Sequence, residues 1–276
     1  MVADVSFDPD MLGYYARGLE ATRLGHGHGQ LELIRTQEIV SRHLGAPPKV
    51  ILDVGGGPGR YACWLAGQGY EVHLVDAVSL HVDQARGASA AQPGRPLADV
   101  RLGDARNLEW PDASIDVVLL LGPLYHLTER VERVAALREA RRVLKRDGLL
   151  IAAAVSRFAS LLDGLSDGLL GDPEYVRIVE RDLIDGQHRN PTPHDYFTTA
   201  FFHRPDELSA EISEAGLAME ELAGVEGPAW ILPDLDNRWL DPEQRDRLLW
   251  AARTVEHEPS LVGMSAHILA IARKTA

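Results

Sequence analysis

The residues best spaced for chemistry are Val50-Ile51-Leu52-Asp53-Val54-Gly55-Gly56-Gly57-Pro58-Gly59-Arg60, an apolar run that enters a glycine-rich turn. Glycines at 55, 57 and 59 let the backbone turn sharply and approach a ligand with no Cβ in the way. A dinucleotide fingerprint needs its third glycine three residues after the second, and Arg60 stands there instead. The spacing therefore favours a nucleoside ligand without a pyrophosphate. No Gly-x-x-x-x-Gly-Lys-Ser/Thr loop is present, which sets aside a nucleotide triphosphatase. Asp53, at the end of the apolar run and two residues before the first glycine, reads as a residue that orients the ligand, the alternative being a simple cap of the turn. A second run, Glu71-Val72-His73-Leu74-Val75-Asp76, ends in a carboxylate. An acid at the tip of such a strand can accept both ribose hydroxyls.

These residues need rigid elements behind them, and from Val50 short apolar runs alternate with helical patterns, the signature of βαβ units and a mostly parallel sheet. Strands are expected at Val50–Val54, Glu71–Asp76, Val100–Gly103, Ile115–Leu121 and Leu149–Ala154. The continuous run Val117–Leu121 suits a central strand covered on both faces. Arg60–Gln68, Ser79–Ala91 and Glu129–Leu144 are expected helices, the last with Val131, Val134, Leu137, Ala140 and Leu144 on one face and Thr128 as its N-cap. Lys145-Arg146-Asp147-Gly148 is expected to turn the chain into the next strand. Residues 155–204 interrupt the alternation with Gly, Asp and Pro and only weak helical stretches. An insertion here would lie over the carboxyl ends of the strands, where open α/β sheets bind ligands, so it is a candidate lid. Pro205–Gly216 and Asp241–His257 then read as helices, Leu217–Val225 and Ala266–Ala272 as strands.

Taken together, Asp53–Gly59, Val75-Asp76, Gly103-Asp104-Ala105, Ser114–Val118 and Arg141–Gly148 resemble the class I S-adenosylmethionine-dependent methyltransferases over about residues 50–155. The resemblance implies an α/β, Rossmann-like, mostly parallel central sheet of about seven strands flanked by helices, with an N-terminal helical cover and a lid insertion after the fifth strand. It also implies S-adenosylmethionine as cofactor and S-adenosylhomocysteine as product. The Gly55-Gly56-Gly57 and Gly59 turn would face the methionine moiety, with Asp53 beside it. Asp76, next to Ala77, would hold the ribose, Asp104 and Ala105 the adenine, and the segment from Leu121 through Leu124 would pass beside the sulfonium. Leu121–Leu127 and Tyr14–Leu24 resemble a bacterial branch of the family whose N-terminal helix covers the cofactor. That assigns Tyr15 and Arg23 to the cofactor and Tyr14 to catalysis. Arg146-Asp147-Gly148 departs from the family's usual Pro-Gly-Gly turn, a change in a loop.

Methyl transfer from a sulfonium is an in-line displacement whose leaving group needs no acid. The protein chiefly aligns the nucleophile and excludes water. An oxygen or ammonium nucleophile must still lose a proton, and His126, after the fourth strand, is the candidate base. Tyr125, Phe201, His203 and Trp230 are candidate substrate contacts, each with packing as the alternative. The acceptor atom, whether oxygen, nitrogen, carbon or sulfur, is left open.

One methyltransferase domain is expected over residues 1–276, divided into a cover at 1–45, a cofactor core at 50–155, the insertion at 156–204 and the rest of the sheet at 205–276. Hydrophobic residues make up 45% and charged residues 25% of the chain, an ordinary globular balance. No apolar stretch approaches the roughly 20 residues that cross a bilayer, so no membrane is expected as a partner. Met1–Asp8 shows no signal-peptide pattern, and a cytoplasmic location is expected. A formal charge of −13 opposes binding to a phosphate backbone, so a small molecule is the expected substrate and no nucleic acid is expected as a partner. Nothing in the sequence sets the oligomeric state. Cys63, the single cysteine, reads as a core thiol. His26-Gly27-His28-Gly29 reads as a flexible loop and no metal is expected. Glu207, Glu211 and Glu214 read as a solvated helix face. Two other functions compete. A nicotinamide-dependent oxidoreductase fails on the glycine spacing, and a catalytically silent S-adenosylmethionine-binding protein would not need a histidine after the fourth strand.

Overall fold

The computed structural model describes residues 7–190 and 196–275. Residues 1–6 of the expected cover, with most of the stretch read for a signal, residues 191–195 of the insertion and residue 276 lie outside the described residues.

In chain order the elements are α1 (Pro9–Tyr15), α2 (Glu20–Arg23), α3 (Gly27–Leu44), β1 (Val50–Val54), α4 (Arg60–Gly67), β2 (Glu71–Asp76), α5 (Ser79–Ala90), β3 (Asp99–Leu102), β4 (Ile115–Leu120), α6 (Pro123–His126), α7 (Arg130–Val143) and β5 (Leu144–Val155). The insertion comes next as α8 (Ala159–Ser166), α9 (Pro173–Asp185) and the short ribbon of β6 (Gln187–His188) with β7 (Ala200–Phe201). The chain then continues through α10 (Pro205–Glu214), β8 (Ala218–Gly224), α11 (Leu235–Leu240), α12 (Pro242–Val255) and β9 (His267–Arg273).

A seven-stranded sheet runs in the order β3-β2-β1-β4-β5-β9-β8. The first five strands are parallel, while β9 pairs antiparallel with both β5 and β8. Strand order reverses between β1 and β4, so the crevice beyond their carboxyl ends is where this architecture takes a ligand. The sheet is Rossmann-like, as expected. Val117, Val118, Leu119 and Leu120 are all at most 1% exposed, because separate apolar clusters cover the two faces of β4. Each such side chain contributes about 1.5–3 kcal/mol on burial, which makes β4 a rigid mount for α6 at its carboxyl end.

Several local expectations are corrected. Glu129, not Thr128, is the N-cap of α7, without a side-chain bond. The Thr128 carbonyl is instead taken by Arg133 and Gln187. Val131 is 74% exposed and lies off the buried face of α7. Residues 145–148 fall inside β5, where the register with β4 jumps from Leu144 to Leu149 and Asp147 adopts φ 60°. The turn is thus a bulge in the strand, because Asp tolerates the left-handed region. His26 is the N-cap of α3, and Gly27, His28 and Gly29 form its first turn instead of a loop. A Cβ on Gly29 would stand 2.3 Å from the Arg23 carbonyl oxygen, so the small residue permits close packing of α2 on α3. The insertion is largely helical. Cys63 is only half-buried, packed at the edge of one of the two sheet clusters.

Candidate functional site

A cavity of about 540 Å³ opens at the carboxyl ends of β1, β2 and β4. Gly55 and Gly57 adopt φ 69° and 55°, the left-handed region that favours glycine, and both line it. A Cβ on Gly55 would stand 2.6 Å from Pro123, so this turn and the start of α6 touch directly. A Cβ on Gly57 would find no protein atom nearer than Glu20 Cγ at 3.8 Å, so open space lies beside it. The Asp76 carboxylate accepts from the Gly57 and Val78 amides at 2.8 Å and faces His81 Nδ1 at 3.2 Å. Asp76 therefore holds the glycine turn in place as well as lining the cavity. Asp53 is 1% exposed, and burial, with the Asp76 charge adding, pushes its carboxyl up to about 7.

The first two helices close the cavity from above. The Tyr15 hydroxyl lies 2.7 Å from His126 Nε2, with the two rings edge to face. Burial, reinforced by Tyr125 and Glu20, holds the Tyr15 hydroxyl well above its ordinary range. Burial also pushes His126 down to about 4, against the opposing pull of Asp76 and the Thr199 backbone. Tyr15 is accordingly the donor and the neutral imidazole the acceptor. Arg23 spans Glu20 at 3.0 Å and Glu32 at 2.5 and 3.0 Å. Burial pushes Glu32 up, yet Arg23 and His267 outweigh it and hold the carboxyl at about 2. His267, on β9, bonds Glu226 at 2.7 Å. Burial lowers it, but Glu32 and Glu226 overcome that and raise it to about 9.

Of the residues singled out from sequence, Tyr15, Arg23, Asp53, Gly55, Gly56, Gly57, Asp76, Ala77, Asp104, Ala105, Leu121, Tyr125 and His126 line this cavity. Others do not. Tyr14 packs edge-on against Tyr15 and Phe197, so Tyr15 and not Tyr14 reaches His126. Leu124 is fully buried in the core, and a Cβ on Gly59 would meet Ala85 at 3.2 Å, which makes that glycine a helix-packing residue. Phe201 lies under the Arg133 guanidinium at 3.6 Å, and His203 is fully buried against Glu211 at 3.2 Å. Trp230 donates to the Met264 carbonyl at 2.8 Å. All three side chains are buried, Phe201 and His203 against the buried Arg133 and Glu211. Glu211 is likewise 2% exposed, held by Arg133 and His203, and is not on a solvated face. Asp104 is forked by Arg106, which also reaches Glu132. Sequence reasoning passed over Glu20, Glu32, His81, Arg106 and His267. Only His81, shortly after Asp76 at the start of a helix, carried a local signal.

A methyltransferase-domain family model matches residues 52–152. A ubiquinone biosynthesis O-methyltransferase from Azorhizobium caulinodans is 30% identical over 212 residues, covering 72% of this chain and 74% of that protein. The chain belongs to the S-adenosylmethionine-dependent methyltransferases. A 27-O-demethylrifamycin SV methyltransferase from Amycolatopsis mediterranei is 28% identical over 81% of this methyltransferase and 76% of its own length. In fold, it is similar to an S-adenosylmethionine-dependent methyltransferase from Methanosarcina mazei, with TM-score 0.58, 20% identity and coverage of 86% and 97%.

The cavity of this methyltransferase fits the cofactor. Its volume lies in the range of small-molecule sites, Gly57 leaves open the space a side chain would fill, and the buried Asp76 and Glu32 carboxylates that line it suit a cationic guest. The acidic lining also carries a stability signature. His267 is raised above its ordinary value of 6.5, so its contribution is full below that pH and is lost as pH rises through about 9. The melting temperature of the parent is expected to fall between those limits. His267→Gln should flatten that fall and lower stability by about 3–5 kcal/mol, because Glu226 loses its charged partner. Parallel melting curves across this pH range would remove His267 from the account.

Proposed function

We propose that this methyltransferase, a cytoplasmic enzyme, methylates a small organic acceptor and that His126 takes the acceptor's proton by way of Tyr15. The observation that carries the reading is the Tyr15–His126 hydrogen bond, set in the same cavity as the glycine turn and Asp76. Gly55, Gly56 and Gly57 would face the methionine part of the cofactor, with Asp53 and Arg23 nearby. Asp76 would hold the ribose, with Ala77 beside it, and Asp104 and Ala105 would take the adenine. Held there, S-adenosylmethionine would supply an electrophilic methyl group, its sulfonium sulfur keeping the electron pair of the broken S–CH3 bond to leave S-adenosylhomocysteine, a neutral thioether that needs no acid. The acceptor hydroxyl or ammonium gives its proton to the Tyr15 oxygen while the Tyr15 proton passes to His126 Nε2. Residues 9–44 act as the cover, the insertion from 156 to 204 as the lid, and Tyr125 as a wall for the acceptor. The net charge of −13 and a cavity of small-molecule size favour a small molecule over nucleic acid.

Calorimetry tests the cofactor half of this reading. Both sulfur nucleosides should bind and NAD should not. Asp76→Ala should weaken S-adenosylhomocysteine binding by about 1.5–3 kcal/mol, the range for a hydrogen bond to a charged group, in a folded chain. Unchanged affinity would take Asp76 out of the site.

A further inference from the structure

The wall of the cavity carries a cationic donor that the proposed methyl transfer does not use. His267 opens β9 and pairs with Val155 at the carboxyl end of β5, so it stands with Ala153 and Leu269 on the far side of β4 from the glycine turn and Asp76. Its Nδ1 lies 2.7 Å from Glu226 Oε1 and 3.8 Å from Glu32 Oε2. Glu226 is fully buried, and its other side-chain partners, the Ser265 hydroxyl and the His267 amide, are neutral. A buried carboxylate needs a cation beside it, and among the described residues His267 is its one ion-pair partner. His267 is therefore an imidazolium, in line with its being raised to about 9.

Both ring nitrogens of an imidazolium carry hydrogen. Nδ1–H goes to Glu226, and among the described residues no hydrogen bond or ion pair uses Nε2–H, on the other side of a ring that lines the cavity. The charged groups around it are already matched. Both terminal nitrogens of Arg23 go to Glu32, and its Nε goes to Glu20. Glu32, Glu226 and His267 bring ligand atoms within 4.8 Å of one another, but Arg23 and the imidazolium already supply the positive charge that a metal ion would bring. What is left over is one charged N–H beside the apolar side chains of Ala153, Val225 and Leu269. Such a donor pairs most strongly with an anionic oxygen.

We propose that His267 Nε2–H receives a carboxylate of the methyl acceptor, so that the substrate is an organic acid anchored at β9 with its nucleophile turned toward Tyr15 and His126. Glu226 is a positioning residue that fixes the ring and keeps it charged. This rests on the assignment of Tyr15 and His126 to the end where the acceptor loses its proton, and adds the substrate class.

The test titrates the S-adenosylhomocysteine-loaded protein near neutral pH with cyclohexanecarboxylate, cyclohexanecarboxamide and cyclohexylmethylamine, followed by ligand-observed NMR. The carboxylate should bind about tenfold more tightly than the carboxamide, as a charge-assisted hydrogen bond allows, and the amine most weakly. His267→Gln should erase that preference and leave S-adenosylhomocysteine affinity unchanged. Glu226→Gln combined with His267→Gln removes both charges together and should give the same result if the single variant does not fold. Should neither fold, the parent decides, since its preference should fade as pH rises through about 9 and the imidazolium loses its proton between Glu226, Glu32 and Arg23. The proposal is overturned if the carboxylate does not bind the loaded parent, if the carboxamide or the amine binds as tightly, if a folded variant keeps the preference, or if, with neither variant folded, the parent's preference persists above that pH. Weakened S-adenosylhomocysteine binding in a folded variant would give Nε2–H to the cofactor's own carboxylate and overturn it as well. Failure of the parent to bind S-adenosylhomocysteine would instead overturn the cofactor reading.

Discussion

Gly57→Val is expected to abolish S-adenosylmethionine binding in a chain that still folds. The residue sits at φ 55°, where a β-branched side chain is strained by roughly 1–2 kcal/mol. That cost is bearable for a domain of ordinary stability. The decisive effect is steric. With no protein atom within 3.8 Å of the added Cβ, the valine methyls project into the cavity and not into the core. The same change disturbs the amide that Asp76 holds at 2.8 Å. Calorimetry should show affinity reduced more than about 100-fold, or ~2.7 kcal/mol, with the melting transition retained. A folded variant with normal affinity would place the cofactor elsewhere.

His126→Ala is expected to lower turnover by roughly 10²–10⁴-fold, the usual contribution of a general base, with little change in cofactor affinity. The pH dependence distinguishes this role from packing. Burial holds the imidazole at about 4 against an ordinary 6.5, so the parent should keep its rate as pH falls past 6 and lose it only near 4. Stability follows the opposite side of the linkage. The unfolded chain takes up this proton first, so the contribution present above pH 6.5 is lost as pH falls towards 4. Rate profiles against pH for parent and variant decide the matter once an acceptor is in hand. Equal rates and parallel profiles would reduce His126 to a packing residue.

The glycine-turn end of the cavity was legible because its signal is local. One strand, one glycine turn and one helix are consecutive in the chain, and the backbone angles at Gly55 and Gly57 are what the residue types announce. The sheet was legible for the same reason, since each parallel strand and its crossover helix are neighbours in sequence. What stayed hidden depends on distant partners. Phe201, His203 and Glu211 looked exposed or ligand-facing, yet Arg133 stacks on Phe201 and pairs with Glu211, which in turn holds His203. Tyr14 and Tyr15 are adjacent aromatics, and only the pitch of α1 against α6 decides which one meets His126. His267 stands in an apolar strand with nothing beside it in sequence to mark it. Its charge comes from Glu32 and Glu226, brought in from α3 and the segment after β8.

The position of β9 bears on how the molecule is made. This strand lies between β5 and β8, and among the described residues β8 pairs with no other strand of the sheet. During synthesis the parallel half of the sheet can assemble as its residues emerge. The outer edge of β5 and all of β8 must wait until residue 273 has left the ribosome. An unpaired strand edge is a template for another chain, so the nascent protein passes through an interval of exposure to misassembly. The strand that ends this interval also brings in His267, so the last piece of the sheet to arrive completes the wall of the cavity.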